Sequence, residues 1–374
     1  MSSQSGADFI IEEDVDGTRQ EVHMMQEIMQ NEYVKKDNMD RNLYAFIPWE
    51  RLYGKSILVT GATGLIGSAL VKTLLWLNED KHLHLHILAL IRSFEKAKTI
   101  FGEHCDPNII KFVGEGVEQL PDIEEDIDYI IHGANPTSSR YFVEHPVEML
   151  HTVIYGTDNL LRLAKEKEVE SFVFLSTMET YGTPEKGIRI TEKNCGQFDS
   201  TTIRNCYPLG KQCCENLCCS YFSEYHVPVK IARLTQTFGP GVTYDDGRVF
   251  AQFARCAIEH RNIVLKTKGE TERSYLYTED AVSAILTILL KGENGQAYTA
   301  ANEETYCSIY EMASMVAGKY GVKVEVREQD IASQGYMDTL YMDLDTTKLR
   351  KLGWRPQVGI EEMYDRMIWS MKKS

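Results

Sequence analysis

The stretch SILVTGATGLIGSALVKTLLWL, residues 56–77, decides the fold of this chain. It is long enough to cross a bilayer, but it contains three glycines and Lys72, and its apolar residues change period partway along. The apolar run before the glycines is typical of a buried strand, and the spacing after them is typical of a helix. The stretch therefore predicts a strand, a turn and a helix rather than a membrane span.

The glycines of this turn have the spacing and the context of a dinucleotide-binding turn. Glycine lets the backbone approach a pyrophosphate closely, and the N–H groups and partial positive charge of a helix N-terminus favour an anion there. A plain tight turn is the alternative, but a strand before the glycines and a helix after them favour the dinucleotide. The cofactor-binding residues predicted in the turn are Gly61, Thr63, Gly64, Leu65, Ile66 and Gly67.

The end of the next predicted strand leaves the choice between NAD and NADP open. An NAD site usually places an acidic residue there, against the ribose hydroxyls. This chain has Ile91, Arg92 and Ser93 instead. Arg92 could bind a 2′-phosphate, which favours NADP, or lie against the adenine. The predicted cofactor is NAD, with NADP as the alternative.

Strand-like runs alternate with helix-length segments from Ser56 to about residue 240. Such alternation is what a parallel sheet with right-handed crossovers requires. The predicted fold is α/β, a Rossmann-type doubly wound parallel sheet with a smaller C-terminal substrate-binding lobe. We predict a helical N-terminal extension over residues 1–50 and a dinucleotide-binding domain over 51–240. Residues 241–374 are predicted to form mainly the substrate-binding lobe, with some segments that return to the first domain.

Composition narrows the class of partner. The chain has 374 residues, of which 43% are hydrophobic, and a formal net charge of -15. A chain of this length and composition can form a large hydrophobic core. Its excess of acidic residues provides no basic surface that would attract nucleic acid or a membrane. The N-terminal residues lack the basic and apolar regions of a secretory signal, so we expect a cytoplasmic protein with free thiols and without a nucleic-acid or membrane partner.

The stretch CYPLGKQCCENLCC, residues 206–219, places Tyr207 and Lys211 one helical turn apart. A lysine ammonium or a nicotinamide cation beside a tyrosine hydroxyl lowers the pKa of the phenol, so that a tyrosinate can act as a base near neutral pH. An accidental surface pair is the alternative, since this spacing arises often by chance. The glycine turn upstream favours catalysis by Tyr207 and Lys211.

Cysteine and histidine clusters are predicted not to bind a metal. Adjacent cysteines on a helix point about 100° apart, so the four cysteines between residues 213 and 219 are predicted to be small buried thiols rather than a zinc site. His82, His84 and His86 would share one face of a strand, and a solvated sheet edge is predicted for them.

Ordered motifs over roughly residues 55–320 resemble the extended short-chain dehydrogenase/reductase family, which includes nucleotide-sugar epimerases, dehydratases and decarboxylases. The motifs are TGATGLIG, IIHGANPTSS, FLSTMETYG, CYPLGK, ARLTQTFGPG and RSYLYTEDA. The resemblance implies oxidation at C4 of a sugar by tightly held NAD. It implies that Tyr207 is the base, that Lys211 sets the pKa of Tyr207, and that Thr177 relays the proton.

The residues after Thr177 separate the activities within that family. The 4,6-dehydratases have an Asp that protonates the leaving C6 hydroxyl and a Glu that removes the C5 proton, and the corresponding residues here are Met178 and Glu179. A thioether cannot donate a proton. The stretches ANPTSSRYFVEHP, RNCYPLGK and FGPGVTYDDGRV resemble UDP-glucuronate decarboxylases more closely. A β-keto acid loses carbon dioxide without such an acid, so decarboxylation to UDP-xylose is the predicted activity, with 4-epimerisation and 4,6-dehydration as alternatives.

The same resemblance implies further binding residues. Gln236, Arg248 and Arg273 are expected to contact the substrate, and Glu115 and Ala134 are expected to contact the cofactor. Ordinary surface ion pairs are the alternative for the two arginines.

The expected partners are a nucleotide-sugar substrate and a second copy of the chain. The resemblance implies a homodimer formed by the helices that contain TVIYGTDNLLRLAKEKE and YPLGKQCCENLCCSYF, although their apolar spacing also suits packing within one chain. A non-catalytic protein that senses NADP is the alternative outside the enzyme class. It would have no need for Thr177, Tyr207 and Lys211 together.

Overall fold

The computed structural model describes residues 47–102, 106–328 and 339–373. The predicted helical extension over residues 1–50 therefore lies almost entirely outside the described residues. The described residues all belong to one compact unit.

The strands of the described residues follow the predicted alternation as far as residue 234 and continue beyond it. They are β1 (Ser56–Thr60), β2 (His86–Ile91), β3 (Ile110–Gly114), β4 (Tyr129–His132), β5 (Ser171–Thr177), β6 (Arg189–Ile190), β7 (Val229–Leu234), β8 (Gln236–Phe238), β9 (Ile263–Leu265), β10 (Glu272–Tyr277), β11 (Gln296–Ala300), β12 (Asn302–Ser308), β13 (Val324–Val326) and β14 (Tyr341–Leu344).

The α-helices of the same residues are α1 (Leu65–Lys81), α2 (Phe94–Phe101), α3 (Ser139–Glu144), α4 (Pro146–Glu166), α5 (Cys206–Tyr225), α6 (Val249–Ile258), α7 (Thr278–Lys291), α8 (Ile309–Tyr320), α9 (Thr347–Arg350) and α10 (Ile360–Met371). Short 3₁₀ turns cover Trp49–Leu52, Met178–Tyr181 and Ile203–Asn205. None of these described helices is both long and apolar enough to cross a membrane.

The main sheet has seven parallel strands in the order β3-β2-β1-β4-β5-β7-β11. Strand β1 pairs with β2 on one side and with β4 on the other, so the direction of winding reverses beside β1. Ligands of open α/β sheets bind at such a reversal, beyond the carboxyl ends of the strands. The predicted Rossmann-type parallel sheet is confirmed.

Helices cover both faces of the main sheet, which explains why its strands are continuous apolar runs rather than alternating ones. Helices α1 and α7 bury apolar residues against one face, together with Trp354 from the C-terminal region. Helices α4 and α5 pack against the other face.

A smaller sheet is built from segments that are far apart in the chain. Its order is β12-β10-β14-β6, and β8 also pairs with β10. A third core packs against it, with apolar residues from α6, α8 and α10. Strand β11 and helix α7 return to the main sheet, whereas β6 joins the smaller one. The domain boundary at residue 240 stays a prediction.

The prediction that three histidines share one strand face is wrong. Strand β2 begins only at His86. His82 ends helix α1 in the left-handed conformation, with φ of 51°, and His84 has φ of 52°. Both histidines therefore belong to the connection before the strand.

Candidate active site at the carboxyl edge of the sheet

The glycine turn connects the end of β1 to the start of α1 and leaves no room for a side chain at Gly61 or Gly67. Gly61 has φ of 70°, and a Cβ there would lie 2.9 Å from the backbone nitrogen of Ala134. A Cβ on Gly67 would overlap the carbonyl oxygen of Gly61. Gly64 is the N-cap of α1, and no side chain caps this helix end. The first N–H groups of α1 are therefore available to an anion.

The loop after β4 forms the other wall of this crevice. The backbone N–H groups of Gly133 and Ala134 donate to the hydroxyl of Thr60, at 3.2 and 3.1 Å. The side-chain oxygen of Asn135, the next residue, is buried and has no hydrogen-bond partner. A backbone cradle closed to side chains and an unsatisfied buried polar atom both fit a bound dinucleotide.

The predicted cofactor residues occupy neighbouring strand ends. Thr63, Leu65 and Ile66 lie in the turn and the first turn of α1. Arg92 and Glu115 directly follow β2 and β3, which pair in parallel with Ile91 opposite Gly114. Both side chains are exposed. The structure thus brings all of these residues to one edge of the sheet, at the ends of β1 and of the two strands on one side of it.

Strand β5 ends at Thr177, and the chain then turns through Met178–Tyr181. The Thr177 hydroxyl caps this turn by accepting from the backbone N–H of Glu179 at 3.2 Å. Met178 is 5% exposed, and its sulfur lies 3.2 Å from the hydroxyl oxygen of Thr235. Position 178 thus belongs to a small apolar core with Tyr181 and Ile190, and Thr177 and Glu179 flank it.

Tyr207 stands in the first turn of α5 and is 8% exposed. Its ring stacks on Phe142 of α3 with centroids 4.3 Å apart and an interplanar angle of 9°. Burial is the largest influence on its pKa and raises it above the ordinary value, and the nearby Glu179 carboxylate raises it further. The nearby Thr177 side chain and the charge of Arg204 act in the opposite direction. Thr177 and Tyr207 therefore lie near each other, as the expected proton relay requires.

Lys211 is fully enclosed one turn further along α5. Its ammonium donates to the carbonyl oxygen of Leu175 at 2.7 Å and lies 4.5 Å from the centre of the Phe174 ring. Burial lowers the pKa of Lys211 to about 8. The ammonium is thus directed at strand β5 in this structure, and the role of Lys211 in setting the pKa of Tyr207 stays a prediction.

Two residues that we did not predict complete this arrangement. Arg204 donates to the Glu179 carboxylate at 3.2 Å, and its guanidinium lies 5.0 Å from the centre of the Phe142 ring. Phe142 is buried and supports Tyr207. Arg204 stands three residues before Tyr207 in the quoted RNCYPLGK, so its position was visible in the sequence. Phe142 has no local signal, because its contact with Tyr207 spans 65 residues of chain.

The three predicted substrate residues differ in their surroundings. Arg273 of β10 donates to the side chain of Gln236 in β8 at 3.3 Å, and the Nε atom of Arg273 is buried without a hydrogen-bond partner. A buried guanidinium with an unsatisfied donor suits an anionic group of a ligand. Arg248 lies at the N-cap of α6, and both oxygens of Asp246 accept from it at 2.6 to 3.1 Å. Arg248 is thus held by a neighbouring carboxylate.

The prediction that the four cysteines of α5 are buried thiols is confirmed for Cys214 and Cys218, but it is wrong for Cys213. Cys214 and Cys218 are fully buried, Cys219 is half-buried and Cys213 is exposed. Burial raises the pKa of Cys214 to about 11, so its thiol stays protonated at neutral pH. Within the described residues, no three His, Cys, Asp or Glu side chains converge on a metal position.

The sequence of this chain is similar to a known protein family and to several characterised proteins. The model of the NAD-dependent epimerase/dehydratase family matches residues 57–302. UDP-glucuronic acid decarboxylase 6 of Arabidopsis thaliana is 29% identical over 313 residues, which cover 82% of this chain and 85% of that protein. The dTDP-D-glucose 4,6-dehydratase of Homo sapiens is 27% identical over 346 residues, covering 86% of this chain and 92% of that protein.

A solved structure shares the fold along most of the chain. The UDP-glucuronic acid 4-epimerase of Bacillus cereus, in complex with UDP-glucuronic acid and NAD, matches with a TM-score of 0.70 and 21% identity. The match covers 85% of this chain and 99% of the epimerase. At this identity the likeness concerns the fold.

Proposed function

The chain belongs to the NAD-dependent epimerase/dehydratase family, and from this premise we propose that it oxidises C4 of a nucleotide sugar and decarboxylates UDP-glucuronate to UDP-xylose. The family membership confirms the prediction of an enzyme over that of a non-catalytic regulator, and it confirms NAD as the cofactor. Relatives named as decarboxylases and dehydratases are about equally similar to this chain, so the choice of reaction is argued from the site.

Tyr207 and Thr177 are proposed to remove the proton from the C4 hydroxyl. The two side chains lie near each other at the carboxyl end of β5, beyond which a ligand of the sheet would lie. Bound NAD would accept the hydride from C4 and later return it, and its nicotinamide carries a positive charge. Burial and Glu179 keep the pKa of Tyr207 high in the free protein. We therefore expect Tyr207 to be protonated until a cation is bound beside it.

Lys211 is proposed to bind the ribose end of the cofactor and to stabilise the charge on Tyr207. Its ammonium is enclosed and donates to Leu175, so binding of the cofactor would have to draw it toward the crevice. The pKa of about 8 means that burial weakens, but does not remove, its positive charge at neutral pH.

The observation that carries the choice of decarboxylation is the environment of Met178. Expulsion of the C6 hydroxyl in a 4,6-dehydratase needs a proton donor at this position. Here the side chain is a thioether, and it is buried in an apolar core rather than directed at a ligand. A 4-keto uronate loses carbon dioxide without that donor. Arg273, with its unsatisfied Nε, is the proposed contact for an anionic group of the substrate.

Incubation with NAD and UDP-glucuronate labelled with ¹³C at C6 tests this proposal. We expect release of labelled carbon dioxide and a nucleotide-linked pentose, which mass spectrometry identifies. A labelled uronate with inverted C4 and no carbon dioxide would identify a 4-epimerase instead. A 4-keto-6-deoxy product from dTDP-glucose would identify a dehydratase. Either result contradicts the proposed decarboxylation.

A homodimer is proposed through α4 and α5. Apolar residues of the two helices pack together on the sheet, but Val147 and Tyr155 of α4 are 57% and 55% exposed. A second copy that buries these side chains would gain apolar contact area. Light scattering after size-exclusion chromatography tests this: we expect twice the chain mass for the wild type and a monomer for Tyr155→Asp. A monomeric wild type contradicts the dimer. The cytoplasmic location remains a prediction.

A further inference from the structure

Arg204 connects the catalytic helix to the turn that carries Glu179. It lies in the turn Ile203–Asn205, directly before α5, and its Nη2 atom donates to Glu179 at 3.2 Å. The side chains of Arg204 and Glu179 are only 14% and 20% exposed. Because both side chains are mostly shielded from solvent, their charges are screened less than those of an exposed ion pair.

Phe142 joins the ion pair to Tyr207. One contact of Phe142 is the guanidinium of Arg204, 5.0 Å from the ring centre. Another is the ring of Tyr207, which lies parallel at 4.3 Å. A displacement of Arg204 would therefore affect both the carboxylate of Glu179 and the stacking partner of Tyr207.

Two charged groups act on the Tyr207 hydroxyl, and they have opposite signs. Glu179 raises the pKa of Tyr207, and Arg204 lowers it. Helix α3 and the first two turns of α5 carry three other charged side chains, and each of these is engaged elsewhere. Lys211 donates to Leu175, and Arg140 and Glu144 of α3 pair with each other at the surface.

We propose that Arg204 is a positioning residue of the reaction, which holds Glu179 beside Tyr207 and compensates the negative charge of that carboxylate. The inference rests on the proposed role of Tyr207 as the base. Glu179 is then fixed near the reacting sugar without opposing the ionisation of Tyr207. A carboxylate left without Arg204 would also repel the carboxylate of a uronate substrate.

The pH profile of kcat tests this role, because a purely structural contact would not move it. In Arg204→Gln we expect the acid limb of the profile to move to higher pH, since Glu179 then acts on Tyr207 without compensation. A displacement of one pH unit lowers kcat about tenfold below the limb. In the double variant Arg204→Gln/Glu179→Gln, the limb should return toward the wild-type position. In Arg204→Lys the acid limb should lie between the positions for the wild type and Arg204→Gln. The lysine variant also provides a test if the glutamine variant does not fold.

Arg261→Gln is the matched control, because it removes an arginine from an exposed pair with Glu259. Its profile should equal that of the wild type. An unmoved limb in Arg204→Gln, or a displacement that the double variant does not reverse, overturns the inference.

A second readout separates this inference from the proposed function. If the wild type reduces NAD with none of UDP-glucuronate, UDP-glucose and dTDP-glucose, the proposed function fails. The ionisation of Tyr207 is then followed by ¹³C NMR of tyrosine-labelled, NAD-loaded protein, with Tyr207→Phe to assign the signal. A higher pKa of Tyr207 in Arg204→Gln supports the inference, and an equal or lower pKa overturns it.

Discussion

Lys211 and Lys230 are two buried lysines that contact the same strand near its opposite ends. Lys211 donates to Leu175 of β5, and Lys230 of β7 donates to the hydroxyl of Ser171, the first residue of β5, at 2.7 Å. They are 2% and 4% exposed, and burial lowers the pKa of each to about 8. By burial and by pKa, the two lysines cannot be told apart.

Their surroundings distinguish them. Around Lys211 at the carboxyl edge lie Tyr207 and Thr177, on the side of the sheet where the glycine turn leaves free N–H groups. Lys230, at the amino edge, lines a cavity of about 900 Å³ together with Arg51 and the end of α7. Its neighbours there are engaged in the fold: Tyr129 donates to Glu170 at 2.8 Å. The sheet edge, and not a buried cation or a cavity, therefore distinguishes the candidate active site, because ligands of open α/β sheets bind beyond the carboxyl ends of the strands.

The largest difference between the two edges is expected from their buried tyrosines. Tyr207→Phe should reduce kcat about 10²- to 10⁴-fold, because it removes the proposed base. Tyr129→Phe removes a buried hydroxyl at the amino edge and should leave kcat within about twofold, at a stability cost of about 1 kcal/mol. Steady-state kinetics and urea unfolding of both variants check this. Equal losses of kcat would break the distinction between the edges.

The two lysines should differ by a smaller factor. Lys211→Met is expected to lower kcat roughly 10²-fold, because the positive charge that would stabilise the tyrosinate is lost. Lys230→Met should retain turnover. Both variants are measured at saturating NAD, so that a weaker affinity for NAD alone does not lower the measured kcat. Retention of full kcat in Lys211→Met would show that this lysine is structural, like Lys230.

The glycine turn should show a moderate effect on cofactor affinity. Gly67→Ala places a methyl group against the carbonyl of Gly61, so the turn must open, and we expect NAD to bind on the order of tenfold more weakly. Gly318→Ala in α8 is the control, because a Cβ there meets no atom within 4 Å. That variant should bind NAD normally and be more stable by about 0.5–1 kcal/mol. Isothermal titration calorimetry with NAD checks both variants.

The smallest expected effect concerns the pH dependence of stability, and it should be the same for replacement of either lysine. Each has a pKa of about 8 in the folded chain, against 10.5 for an unperturbed lysine. Between these values the unfolded chain binds more protons, so the free energy of unfolding should rise with pH. Replacement of either lysine by Met should reduce this rise by on the order of 1–3 kcal/mol. Urea unfolding at pH 8 and at pH 10.5 measures it. A rise that is unchanged in both variants would contradict the burial of the charges.

Local patterns in the sequence predicted the parts of this site that lie within one element or one turn. The Gly61–Gly67 turn and the spacing of Tyr207 and Lys211 follow from hydrophobic period and turn chemistry, and the structure has both. The alternation of strands and helices predicted the parallel sheet for the same reason.

Contacts between distant segments were not predictable in this way. The smaller sheet joins β6 to β14 across more than 150 residues, and no local pattern encodes that pairing. The direction of the Lys211 ammonium depends on the position of Leu175 in a different element. Arg204 precedes Tyr207 by three residues in the sequence, but its proposed role depends on its contact with Glu179, which no local pattern predicts.

Rapid mixing of NAD-loaded protein with UDP-glucuronate tests the central claim most directly. Reduced nicotinamide should appear and then decay within one turnover in the wild type and in Tyr129→Phe, and it should not appear in Tyr207→Phe. Formation of a pentose product without this transient, or an undiminished transient in Tyr207→Phe, would contradict the assignment of the carboxyl edge and Tyr207 to the oxidation of C4.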